Sequence, residues 1–100
     1  MTDGQHLDVA ADVEAFHHAL HIPVEKIPGI RRGELRARLI EEESAETAAA
    51  IRAGDLVEAI DGLCDLLCVT YGAALEFGVD LRPFWAEVHR TSLASCAGSP

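Results

Sequence analysis

The chain has 100 residues, 49% of them apolar and 5% aromatic, and carries a formal net charge of −9. That length makes one small domain over residues 1–100, with frayed ends expected at about 1–6 and 96–100 and a core modest enough to favour oligomerisation. So acidic a surface argues against nucleic acid or an anionic membrane as a partner, because both need basic patches.

No basic start with a following apolar run opens the chain, and no uncharged stretch reaches membrane-spanning length, so a cytoplasmic protein is expected. Cys64, Cys68 and Cys96 form no disulfide framework. The Cys64/Cys68 pair lacks further zinc ligands at a recognisable spacing and is expected to be two core thiols.

The first helix is expected from Asp8, a good N-cap, to His21, with Val9, Val13, Phe16, Ala19 and Leu20 at helical spacing and Pro23 as the stop. Residues 22–33 hold Pro23, Pro28, Gly29 and Gly33 and read as a loop. A second helix should run from Glu34 to Ala53 with Leu35, Leu39, Ala45 or Ala49, and Ile51 inward, and Gly54 ending it. Asp55, with Glu58 completing an acidic capping box, should start a third helix that ends at Gly78. A fourth should follow Asp80, tolerating Pro83 in its first turn. The predicted fold is an all-α four-helix bundle.

The second and third helices are joined so tightly that they must be antiparallel, with residues whose numbers add to about 108 at one height. Glu43 then faces Asp65, and Glu46 faces Gly62 beside Asp61, about 12–16 Å from the hairpin tip. Carboxylates at these spacings share a helix face and repel unless a cation lies between them, and hard divalent ions with oxygen ligands suit that place. Glu43, Glu46, Asp61 and Asp65 are therefore candidate Mg²⁺ ligands, with Mn²⁺ as a substitute. The competing explanation is a salt bridge to Arg36 or Arg38. Glu42 borders the face and is the candidate base for an attacking water. Glu58 lies a turn nearer the tip, with capping as its rival task. His17 is a candidate ligand contact from the first helix, whereas Phe84 and Trp85 are expected in a core or interface.

Glu42-Glu43-Ser44-Ala45-Glu46 resembles the EExxE of the MazG-like all-α nucleoside triphosphate pyrophosphohydrolases. Asp65-Leu66-Leu67-Cys68-Val69-Thr70-Tyr71-Gly72 resembles their DLLYVxYG. Phe16-His17, the Pro23 loop, Phe77–Leu81 and Glu87–Arg90 are similar to a phosphoribosyl-ATP pyrophosphohydrolase-like branch, and the likeness covers about residues 12–96. The resemblance implies a homodimer or homotetramer of helical hairpins that completes the bundle. It also implies a Mg²⁺-dependent attack of water on a nucleoside triphosphate, yielding monophosphate and pyrophosphate.

Matched by position, Glu43, Glu46 and Asp65 are metal ligands and Glu42 stands beside the site. The first acid of the second pair falls at Gly62, so either Asp61 replaces it or Glu58-x-x-Asp61 is the true pair. Arg82, Arg90 or Lys26, from this or a neighbouring subunit, would clamp the phosphates, with the base near Phe16, His17 and the 23–33 loop. The branch's His-Arg-x-Asn-x-x-Lys reads His89-Arg90-Thr91-Ser92-Leu93-Ala94-Ser95. That change supports an alternative, a non-catalytic helical module that binds nucleotide or protein.

Overall fold

A computed structural model describes residues 7–98 and contains four α-helices: α1 (Val9–Ala19), α2 (Gly33–Arg52), α3 (Leu56–Glu76) and α4 (Leu81–Gly98). Among the described residues there is no strand, so the fold is all-α as the sequence predicts. Asp8 caps α1 by accepting the Ala11 N–H at 3.1 Å, and Asp55 caps α3 by accepting the Glu58 N–H at 3.2 Å. α4 runs as a helix to Gly98, and residues 1–6 and 99–100, which hold much of the expected fraying, lie outside those described.

Three helices end in the same paired closure of orphan carbonyls. The Ile22, Asp55 and Val79 N–H groups return to His17, Ala50 and Ala74, while His21, Gly54 and Gly78 return to His18, Ile51 and Leu75. The turning residue needs a left-handed backbone, and Gly54 and Gly78 supply it at φ 70° and 73°. The third position is His21, at φ 57°. The stop assigned to Pro23 is thus made two residues earlier, by a residue whose Cβ resists the conformation.

The α2–α3 hairpin is held by a seam of three- and four-residue steps. On α3 the seam runs Ala59, Gly62, Leu66, Val69, Ala73 and Glu76, all buried or half-buried. On α2 it runs Arg36, Ile40, Glu43, Thr47 and Ala50. Gly62 meets Thr47 and Gly72 meets Arg36, within one residue of the register expected from the tight turn. The inward face of α2 differs from expectation, because Leu35, Ala45, Ala49 and Ile51 are exposed. The Ala- and Gly-rich seam of α3 lets the helices approach, and the bulkier apolar residues of α2 are left outside.

At the open end of the hairpin, Glu76 is only 2% exposed. It accepts Arg32 Nη2 at 2.9 Å and Arg36 Nε at 2.7 Å. Arg32 takes a left-handed backbone at the start of α2, φ 47°, and no side chain caps that helix. The paired guanidinium offsets this strain. The 22–33 loop docks on the same end: Glu25 N–H reaches Leu75 O and Gly29 N–H reaches Phe77 O, both at 2.9 Å, while Arg31 donates to Glu76 O at 3.1 Å. Gly78 has no room for a Cβ, which would stand 2.4 Å from Ile27 O.

α1 packs on α3, but α4 turns away from α3 by 119° and has no comparable packing partner among the described residues. The radius of gyration, 15.9 Å, exceeds the ~13 Å of a compact 100-residue domain accordingly. Phe84, Trp85, Val88 and Leu93 on α4 remain exposed, as do Leu56, Val57, Ile60, Leu63 and Leu67 on α3. Among the described residues no single helix is long and apolar enough to cross a membrane.

Hydrogen bonds from Arg32, then from Arg36, hold the Glu76 carboxyl below its ordinary value against the opposing effect of burial. Its stabilisation is therefore present above the ordinary glutamate pKa and is lost as pH falls through the lowered one. Glu76→Gln leaves two arginines without their acid, and urea unfolding should show a loss of about 3–5 kcal/mol at pH 7. His21→Gly should raise stability by about 0.5–1 kcal/mol in the same assay, since glycine relieves the left-handed turn.

Candidate active site

The seam explains why the acids gather. Glu43 lies on it, one turn before Thr47, and is half-buried, whereas Glu42, Glu46, Asp61 and Asp65 flank it and are exposed. The Glu43 carboxyl is pushed above its ordinary value, first by desolvation and then by the charges of Glu46, Asp65, Asp61 and Glu42. Carboxylates of two helices thus act on one group. Among the described residues no ion pair relieves any of the five.

The salt-bridge explanation for this cluster does not hold. Arg36 is committed to Glu76, and Arg38 is exposed and pairs with no acid among the described residues. Glu58 is not among the charges acting on Glu43. It is exposed, and only half of its expected capping box forms, because the Asp55 N–H goes to Ala50 O instead. The gathering is loose: among the described residues no group of three or more His, Cys, Asp or Glu side chains stands close enough to hold a metal ion. The donor set itself, all carboxylate oxygen, suits Mg²⁺ or Mn²⁺.

The other predicted contacts lie elsewhere in the chain. His17 is 3% exposed, and its Nδ1 stands 3.2 Å from Pro23 O, tying α1 to the loop. Gly72 makes room for it, since a Cβ there would lie 3.0 Å from His17 Nε2 and 3.1 Å from Arg36 Nη1. Burial, chiefly, lowers the His17 pKa. So enclosed, the imidazole holds the loop and presents little surface to a ligand.

Arg82 binds Asp80 at 3.0 Å and approaches Asp8 at 3.8 Å. It lies beyond the C-terminal end of α3, at least about 16 Å along that helix from Asp65 at ~1.5 Å per residue. Arg90 pairs with Glu87 on the projecting α4. Neither is brought to the acids of its own chain. Phe84 and Trp85 are exposed rather than core, with Trp85 stacked on His89 at 6.1 Å. Cys64 is exposed and Cys68 half-buried, so the expected pair of core thiols is not found.

A cleft of about 260 Å³ opens between α1, the loop and the α3–α4 junction, lined among others by Glu14, Lys26, Tyr71, Asp80 and Arg82. It contains none of the five gathered carboxylates. Sequence reasoning passed over Glu76, Thr47 and the inward turn of Gly62. The signal for Glu76 was available, because a register of 108 sets it opposite Arg32.

Comparison with known families matches residues 13–92 to the model described as phosphoribosyl-ATP pyrophosphohydrolase. The chain belongs to the phosphoribosyl-ATP pyrophosphohydrolase family. The match takes in both acid pairs, Gly62 and the altered segment as far as Ser92. Membership in this MazG-like family points to a pyrophosphohydrolase of nucleotide-related substrates. No curated protein matches the chain.

For Glu43 the sign of the pH effect is opposite to that of Glu76. A raised carboxyl pKa means that the folded state disfavours the charge, so the penalty is full above the raised value and disappears as pH falls toward the ordinary one. Glu43→Gln should therefore raise the thermal midpoint of metal-free protein at pH 7, and the gain should vanish near pH 4. His17 adds a separate acid sensitivity: stability present above pH 6.5 should decline as pH falls through the lowered imidazole value. Thermal midpoints of the Glu43→Gln pair and urea midpoints of the wild type, measured from pH 8 to pH 4, check the two signs.

Proposed function

We propose that this family member hydrolyses ribo- or deoxyribonucleoside triphosphates to monophosphate and pyrophosphate with Mg²⁺, or with Mn²⁺ in its place. The observation that carries the reading is the unrelieved field of four carboxylates on Glu43, within the span matched to a pyrophosphohydrolase family. Glu43, Glu46, Asp61 and Asp65 would hold the ion. When bound, a divalent cation neutralises the polyphosphate and makes water a better nucleophile. Glu42, exposed beside the site, would take the proton from the attacking water. His17 would act indirectly, by holding the loop against α1.

Arg82 and Arg90 would meet the phosphates only from a second copy, since in their own chain they are turned to Asp80 and Glu87. The apolar residues left exposed on α3 and α4 support a homodimer or homotetramer that completes the bundle. Such an enzyme would keep a cytoplasmic nucleotide pool clear of surplus or non-canonical triphosphates. The description of the matched family favours a second substrate, phosphoribosyl-ATP, which carries the same α–β phosphoanhydride.

Purified protein with Mg²⁺ should release pyrophosphate from one or more (d)NTPs, and Glu46→Ala should reduce the rate at least ~100-fold. Phosphoribosyl-ATP belongs in the same panel. Release from it alone would move the substrate to the second reading. No release above the Glu46→Ala background from any substrate would leave a non-catalytic nucleotide- or protein-binding module, which the altered segment around Ser92 and Ser95 already favours as the rival.

A further inference from the structure

At the level of the acids, α2 and α3 touch through Thr47 and Gly62. Thr47 is 3% exposed, and its hydroxyl donates to Glu43 O at 2.7 Å. That bond uses the only hydroxyl hydrogen and sets the rotamer. A Cβ on residue 62 would stand 2.4 Å from Thr47 Oγ1, 3.0 Å from its Cβ and 3.2 Å from its Cα. The Cα is backbone, so no rotamer of Thr47 clears the contact fully. Regaining ordinary contact with Oγ1 needs a shift of about 1 Å.

We propose that Thr47 and Gly62 form a spacer that sets the separation of α2 and α3 at the height of the carboxylates. Both are positioning residues and neither is a ligand. Glu43 is tied to the spacer through its carbonyl, which accepts the Thr47 hydroxyl. Asp61 adjoins Gly62, and Asp65 follows it by one turn, so a shift of α3 at this point carries both. A divalent site tolerates little of this, because its ligands must be held to about 0.5 Å. The consequence for a cation rests on the proposed function, but the helix spacing does not.

The test is a double-mutant cycle of wild type, Gly62→Ala, Thr47→Ala and the double variant, with Thr47→Val as a variant that keeps the shape. Each is unfolded in urea without metal, then titrated with Mn²⁺ by calorimetry where circular dichroism shows it folded. Gly62→Ala should lower the urea midpoint and weaken Mn²⁺ binding about 10- to 100-fold. The double variant should recover part of both losses, and Thr47→Val should bind Mn²⁺ nearly as the wild type does. Additive urea midpoints overturn the spacer whether or not metal binds. Coupled midpoints with unchanged Mn²⁺ affinity in Gly62→Ala overturn its link to the acids. A wild-type protein that binds no Mn²⁺ overturns the proposed function instead, and the metal-free cycle then decides the spacer alone.

Discussion

The architecture depends on how closely α2 and α3 can approach along one seam. Ala59, Gly62 and Ala73 on α3 are small enough to admit a polar partner surface from α2, in which Arg36, Glu43 and Thr47 take places usually filled by aliphatic side chains. Burial of apolar area is therefore limited, and polar contacts set the geometry instead. At the open end, Glu76 lies between Arg32 and Arg36; at the middle, Thr47 lies against Gly62. A buried carboxylate is tolerable only with such partners, and removing one partner is far more damaging than the net worth of the pair.

The same economy explains the acidic face. Glu43 is partly desolvated because it sits on the seam, and four further carboxylates act on it from both helices. Evenly spread over a surface, such charges would be harmless. Drawn to one level of a hairpin where no ion pair among the described residues offsets them, they raise the free energy of the metal-free fold. In the proposed function, local stability and cation affinity would be opposed in the same few side chains.

The apolar residues excluded from the seam have an equally direct consequence. Leu56, Val57, Ile60, Leu63 and Leu67 line exposed parts of α3, and α4 carries Phe84, Trp85, Val88 and Leu93 away from its own chain. A single copy leaves these large apolar side chains open to solvent. This supports an assembled form in the proposed function, and it is consistent with Arg82 and Arg90 pairing with Asp80 and Glu87 instead of with the gathered acids.

Local signals in the sequence specified the helices and most of their ends. Asp8 and Asp55 cap as expected, Gly54 and Gly78 supply left-handed turns, and the three-residue break between Arg52 and Leu56 forces an antiparallel hairpin whose register brings Glu43 level with Asp65. Those features depend on neighbours a few residues apart, and so does the acidic motif that marks the family. What required the tertiary structure was the direction in which each surface faces. Hydrophobic spacing placed Leu35 and Ile51 inward, but the small-residue seam of α3 selected Arg36 and Thr47 instead. Likewise, His17 became a buried tie to Pro23, Arg36 left the acids for Glu76, and Gly62 became a point of contact instead of a missing ligand. Each of these outcomes turns on a close approach between segments distant in sequence, which no local spacing encodes.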